Sequence, residues 1–178
     1  MPRLFTALEI PPDIAQSLAM LRGGLPGARW IDPENYHLTL RFIGDIDDAL
    51  ANDIALLLDQ VNRRGFDLRF DGLAPFGGRK PRAVVAAVAP VPPLIELQAE
   101  HERLMQRVGL APEGRKYTPH VTLARLRDPA LGQVAEFLAA HAQFRAAPLP
   151  VEHFSLIASF PTKAGSIYED QADYPLSG

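Results

Sequence analysis

The tetrapeptide His37-Leu38-Thr39-Leu40 returns late in the chain as His120-Val121-Thr122-Leu123. In an extended strand successive side chains point to opposite faces, so each copy sets an imidazole and a hydroxyl on one face and two aliphatic side chains on the other. The aliphatic face can be buried while the His/Thr face stays open. Imidazole titrates near neutrality, so one histidine can accept a proton while the second donates one. Threonine hydroxyls donate hydrogen bonds, which strengthen when the accepting oxygen is charged. Two histidines with two threonines suit an in-line displacement at phosphorus: a base, an acid, and donors for the non-bridging oxygens. The plainer alternative is two half-buried strands whose His and Thr satisfy local hydrogen bonds.

Rival chemistries find less support. A metal site calls for histidines at close spacing with carboxylates. On simple alternation the first strand instead offers Thr39 and Arg41 on its open face, and an arginine repels a cation. No metal is expected. Gly77-Gly78-Arg79-Lys80 lacks the spacing and terminal hydroxyl of a phosphate loop and reads as a turn, and no Gly-x-Ser-x-Gly elbow occurs. Of the other histidines, His101 falls on the apolar stripe of a helix, where a hydrogen-bonded core residue is the default. His141 sits near a helix C-terminus, where the dipole favours a cation. His153 alternates with Val151 and Ser155 in a strand and is the spare candidate for the site.

With 178 residues, 47% hydrophobic and 22% charged, the chain has ordinary globular composition and is expected to form one domain over residues 1–178. Met1 to Phe5 run straight into a short apolar stretch closed by Pro11-Pro12, and no apolar run reaches the length of a membrane span. A cytoplasmic monomer with no membrane contact is expected. With 0 cysteines, disulfides and thiolate chemistry are excluded. A net charge of -3 argues against a protein that lives on long nucleic acid. Arg115, Lys116, Arg125 and Arg127 around His120, and the separate group Arg79, Lys80 and Arg82, point instead to a local anion site for a small phosphate or an RNA end.

The periodicities predict strands over residues 4–10, 36–42, 66–70, 83–89, 151–159 and 167–174, with the second motif strand at His120. Helices are expected after Pro11-Pro12, after Asp47 or Asp48, after Pro92-Pro93 with Gly109 beyond its end, and from Pro129 to about Ala142. Pro119 is expected at a strand start. Strands and helices alternate in two similar halves, each with one motif strand, which suggests a single domain of two lobes.

The paired motifs, the opening Arg3-Leu4-Phe5-Thr6-Ala7-Leu8, the stretch Pro119 to Arg125, and Ser159 followed by Gly165 and Tyr168 resemble the 2H phosphoesterase superfamily. Within it the chain is most similar to the RNA 2′,3′-cyclic phosphodiesterases, also called 2′-5′ RNA ligases. The resemblance implies an α+β, bilobal fold with two antiparallel sheets facing a central cleft, helices outside, and pseudo-twofold related lobes. It implies hydrolysis of RNA or oligonucleotide 2′,3′-cyclic phosphate ends to 2′-phosphates without metal, cofactor or ATP, with 2′-5′ ligation as the reverse. On this resemblance His120 is the base that activates water and His37 the acid for the departing ribose oxygen, while Thr39, Thr122 and Arg125 hold the phosphate. Simple alternation puts Arg125 opposite His120, so it reaches the phosphate only if the strand bends or ends at Ala124. Phe5, Phe42, Phe76 and Tyr117 are candidate stacking surfaces, with core packing the default for each. Hydrolysis of a small cyclic nucleotide, a non-catalytic RNA-end or nucleotide-binding module, and a purely structural domain are the alternatives.

Overall fold

The computed structural model describes residues 3–178, so Met1 and Pro2 of the amino-terminal reading lie outside it. In chain order the elements are β1 (Arg3–Glu9), α1 (Pro12–Ala19), β2 (Ala28–Trp30), a 3-10 turn (Pro33–Asn35), β3 (His37–Asp45), α2 (Asp48–Leu58), β4 (Phe66–Leu68), β5 (Phe70–Phe76), β6 (Ala83–Val88), α3 (Pro92–Arg107), β7 (His120–Leu126), α4 (Leu131–Ala140), β8 (Leu149–Val151), β9 (His153–Thr162) and β10 (Gly165–Pro175). The helices start where local chemistry favours it. Pro12 and Pro92 pre-set the first turns of α1 and α3, and the Asp47 side chain accepts from Leu50 N at 2.8 Å to cap α2.

The fold is α+β. Eight antiparallel strands run β10-β9-β1-β3-β7-β6-β5, with β2 beside β7, while β4 and β8 form a separate two-stranded sheet. The two motif strands, β3 and β7, are the central neighbours, and they pair at Leu38↔Val121 alone. Each side of that pair carries four strands, so two antiparallel leaves meet edge to edge at one point of contact. The leaves do not follow the halves of the chain. β9 and β10 return to pair with β1, and β2 crosses to pair with β7.

The expected strand over 66–70 is in fact two: β4 pairs with β8 and β5 with β6, with the break at Arg69, whose carbonyl accepts from Ala89 N at 2.9 Å. The main core lies on the aliphatic side of the motif strands, where Leu38, Leu40, Val121 and Leu123 pack with Leu18, Ile54, Leu58, Leu97 and Met105. A smaller cluster seats Val134 and Phe137 of α4 on Val84 and Ala124. Each such side chain contributes about 1.5–3 kcal/mol by leaving water. With their aliphatic faces packed in this core, the motif strands turn the His/Thr face away from it.

Candidate active site

The two motif strands share a defect that decides what their open face carries. On β3 the pairing with β1 runs Glu9↔His37, Leu8↔Leu38, Ala7↔Thr39, and then jumps to Thr6↔Arg41 and Phe5↔Phe42, leaving Leu40 as an extra residue. On β7 the pairing with β6 runs Ala87↔His120, Ala86↔Val121, Val85↔Thr122, and then jumps to Val84↔Ala124 and Ala83↔Arg125, leaving Leu123 extra. A bulge inserts one residue and reverses the alternation beyond it. Two consecutive side chains are therefore buried in each copy, Leu40-Arg41 and Leu123-Ala124, and Phe42 and Arg125 return to the His/Thr face.

One sequence expectation meets its condition as a result, and another changes. Arg125 needs no early strand end to reach the site, because the bulge supplies the bend. Arg41 does not lie on the open face: it is 7% exposed and turned toward α3. There its Nε donates to Glu102 Oε1 at 2.8 Å and its Nη2 to the Ala111 carbonyl at 2.6 Å. Against desolvation, the Arg41 and Gln106 hydrogen bonds hold the Glu102 carboxyl below its usual range.

The histidines are held alike. His37 Nδ1 lies 2.8 Å from the Asn35 carbonyl, and His120 Nδ1 lies 2.7 Å from the Thr118 carbonyl, each two residues upstream. A carbonyl only accepts, so each ring carries its proton on Nδ1 and leaves Nε2 as the open acceptor. Continuing the antiparallel register one residue either way from Leu38↔Val121 sets His37 beside Thr122 and Thr39 beside His120. Tyr117 anchors this block through its hydroxyl, which donates to the Thr39 carbonyl at 2.8 Å and leaves the Thr39 side chain uncommitted to that contact.

The surroundings of the two rings differ. His37 packs between Phe5 and Tyr168, with ring centroids 4.9 Å away in both cases. His120 lies against one aromatic ring among the described residues, Phe76, at 4.2 Å. Burial pushes the His37 imidazole down to about 4 against the lift from the Asn35 carbonyl, and the charges of Arg125 and His120 push in the same direction. On the other flank, Glu9, Asp170 and Asp173 bring carboxylate oxygens within 4.8 Å of one another. A hydrogen bond with Asp170, burial and the neighbouring carboxylates raise Glu9 to about 7. The site is thus cationic on the Arg125 side and acidic on the Glu9 side.

The remaining candidates separate clearly. Phe42 is 50% and Phe76 37% exposed on the open face, whereas Phe5 is buried and Tyr117 is half-buried with its hydroxyl committed. His101 is a core residue, fully buried, with Nδ1 2.8 Å from Thr6 Oγ1 and its ring edge-on to Phe154. His141 stands at the C-terminus of α4 and packs on Phe137 at 4.5 Å. His153 begins β9 opposite Pro175 and is separated from β3 by β1. Sequence reasoning gave no site role to Tyr168, Glu9 or Arg29. Alternation from His37 across β1 reaches Glu9 once the register is known, but Tyr168 and Arg29 arrive from distant strands.

Paired His-Thr strands thus meet at the junction of two antiparallel leaves in this α+β protein, with Arg125 turned to the same face. The chain belongs to the 2'-5' RNA ligase superfamily, whose family profile matches residues 10–159. Among curated relatives, the RNA 2',3'-cyclic phosphodiesterase of Aquifex aeolicus is 29% identical over 155 residues, covering 84% of this chain and 82% of its own. The protein of the same name from Aeropyrum pernix is 30% identical over 149 residues, covering 82% and 84%. Of solved structures, E. coli LigT complexed with 3'-AMP superposes with a TM-score of 0.79 at 25% identity over 99% of each chain. TT0787 of Thermus thermophilus gives 0.81 at 24% identity, covering 99% of this chain and 98% of its own, and shows the fold.

Proposed function

We propose that this protein is an RNA 2′,3′-cyclic phosphodiesterase that opens cyclic phosphate ends to 2′-phosphates with His37 and His120 as its acid-base pair. The observation that carries the reading is the matched Nδ1 anchoring of the two rings, which presents two Nε2 atoms on one open face with Arg125 beside them. The names of the curated relatives and the 3'-AMP complex of LigT support the substrate class.

In the proposed reaction the cyclic phosphate sits on the Arg125 side, with Thr39 and Thr122 donating to its non-bridging oxygens. His120 Nε2 takes a proton from water as the water oxygen attacks phosphorus. The bond from phosphorus to the ribose 3′ oxygen breaks, and His37 Nε2 returns a proton to that oxygen. His37 is held neutral in the free protein, so it acquires this proton as the phosphate anion arrives and offsets the charge of Arg125. The arginine beside the rings disfavours a bound cation, which supports a metal-independent step. Running backwards, the same groups would join a 2′-OH to a cyclic phosphate.

The direct test is incubation of the purified protein in EDTA with an RNA oligonucleotide ending in 2′,3′-cyclic phosphate. Conversion to a 2′-phosphate is expected. Failure of the folded protein to open the ring, with retained binding, would favour a non-catalytic RNA-end module instead.

A further inference from the structure

Beside His37, between the 3-10 turn and the β9–β10 hairpin, runs a groove of about 510 Å³ that includes Arg29, Arg125, Asn35, Ile167 and Tyr168 among its lining. Its size is that of a small-ligand site. It adjoins His37 through two of its lining residues, since the Asn35 carbonyl holds the His37 ring and the Tyr168 ring packs on it. Arg29 and Arg125 are direct cross-strand partners on β2 and β7. Partners in antiparallel register share a face at close range, where like charges repel. Neither guanidinium has a carboxylate partner among the described residues. Asp32, on the groove's lip, is engaged by Arg22 at 4.0 Å.

Arg29 is also held in place from the opposite leaf. Its Nη2 donates to the Ala164 carbonyl at 2.6 Å, at the tip of the β9–β10 hairpin. The next residue, Gly165, has φ +118°, and a Cβ there would come within 2.8 Å of Nη2. Glycine at 165 therefore gives the guanidinium its path across the groove. Two unneutralised cations side by side, one of them held in place, call for two anionic groups on one ligand.

We infer that Arg29 and Arg125 form a floor for two phosphates, Arg125 taking the cyclic phosphate and Arg29 the phosphodiester that joins the terminal nucleotide to its 5′ neighbour. The groove is then a subsite for the RNA body, with exposed Ile167 and the Tyr168 ring as its apolar wall. This rests on the phosphodiesterase reading above, and makes oligonucleotide ends, not free cyclic mononucleotides, the preferred substrate.

The test compares kcat/KM for a nucleoside 2′,3′-cyclic phosphate with that for a dinucleotide carrying the same terminal nucleoside, in wild type and Arg29→Ala. Affinities of the matching nucleoside 3′-phosphate and dinucleotide 3′-phosphate are measured alongside. The wild type should favour the dinucleotide, and Arg29→Ala should cut that preference about tenfold, as one charge-assisted contact would. The dependence of log affinity on log salt should fall in slope by about 0.7 for the dinucleotide, and Arg29→Lys should restore it. Equal losses on both lengths, or an unchanged ratio, would overturn the inference while leaving the phosphodiesterase reading standing. Arg29-dependent dinucleotide binding without ring opening would do the reverse.

Discussion

Phe42 and Arg125 are structural counterparts: each lies five residues after its motif histidine, and each is turned back to the histidine face by a one-residue bulge, at Leu40 and at Leu123. The duplicated strand thus ends in a cation on one lobe and an exposed aromatic ring on the other. In the proposed reaction this difference makes the site directional, with the phosphate at the Arg125 end.

Arg125→Ala is expected to lower kcat/KM on a cyclic-phosphate RNA end by on the order of 10²-fold while leaving the melting temperature nearly unchanged, because the side chain is exposed and makes no ion pair among the described residues. Arg125→Lys should recover only part of the loss, since an ammonium cannot grip two phosphate oxygens as a planar guanidinium does. Steady-state kinetics on the two variants checks both statements. A loss of tenfold or less for the alanine variant would remove Arg125 from the phosphate site.

The titration of His37 provides a separate check. By NMR its ring should titrate near 4 in the free protein, because burial and the nearby Arg125 and His120 charges oppose its protonation. Saturation with a nucleoside 3′-phosphate should raise that value by about one unit or more as the anion offsets those charges. An unmoved titration would contradict the acid role given to His37.

Acid stability should depend on a histidine outside the site. Burial pushes His101 down to about 3 from an ordinary value of 6.5. Between those values the unfolded chain binds more protons than the folded one, so stability is complete above pH 6.5 and falls as pH drops toward 3. His101→Leu should flatten this acid limb in thermal melts from pH 7.5 to 4. At pH 7.5 it should also cost about 1–2 kcal/mol, because the buried Thr6 hydroxyl loses its partner at 2.8 Å.

The strands that carry the site were legible because His-x-Thr-x alternation encodes a half-buried strand locally, and the helices because Pro12, Asp47 and Pro92 mark their starts in the sequence. The bulges were not legible. Whether Leu40 or Leu123 is skipped depends on the register with β1 and β6, which no residue within the motif specifies, so alternation alone puts Arg41 on the wrong face. β2 escaped notice because three residues carry too little periodicity to read. The acidic flank joins Glu9 of β1 to Asp170 and Asp173 of β10, residues that only the sheet order brings together.

The measurement that bears most directly on the two-histidine site is single-turnover opening of an RNA 2′,3′-cyclic phosphate end, in EDTA, by wild type, His37→Ala, His120→Ala and the double variant, each first shown by thermal melt to be folded. Groups that act as one acid-base unit are not additive, so each single variant is expected to lose at least about 10³-fold and to lie close to the double variant. Turnover within tenfold of wild type for either single variant would contradict a mechanism in which His37 and His120 divide the proton transfers between them.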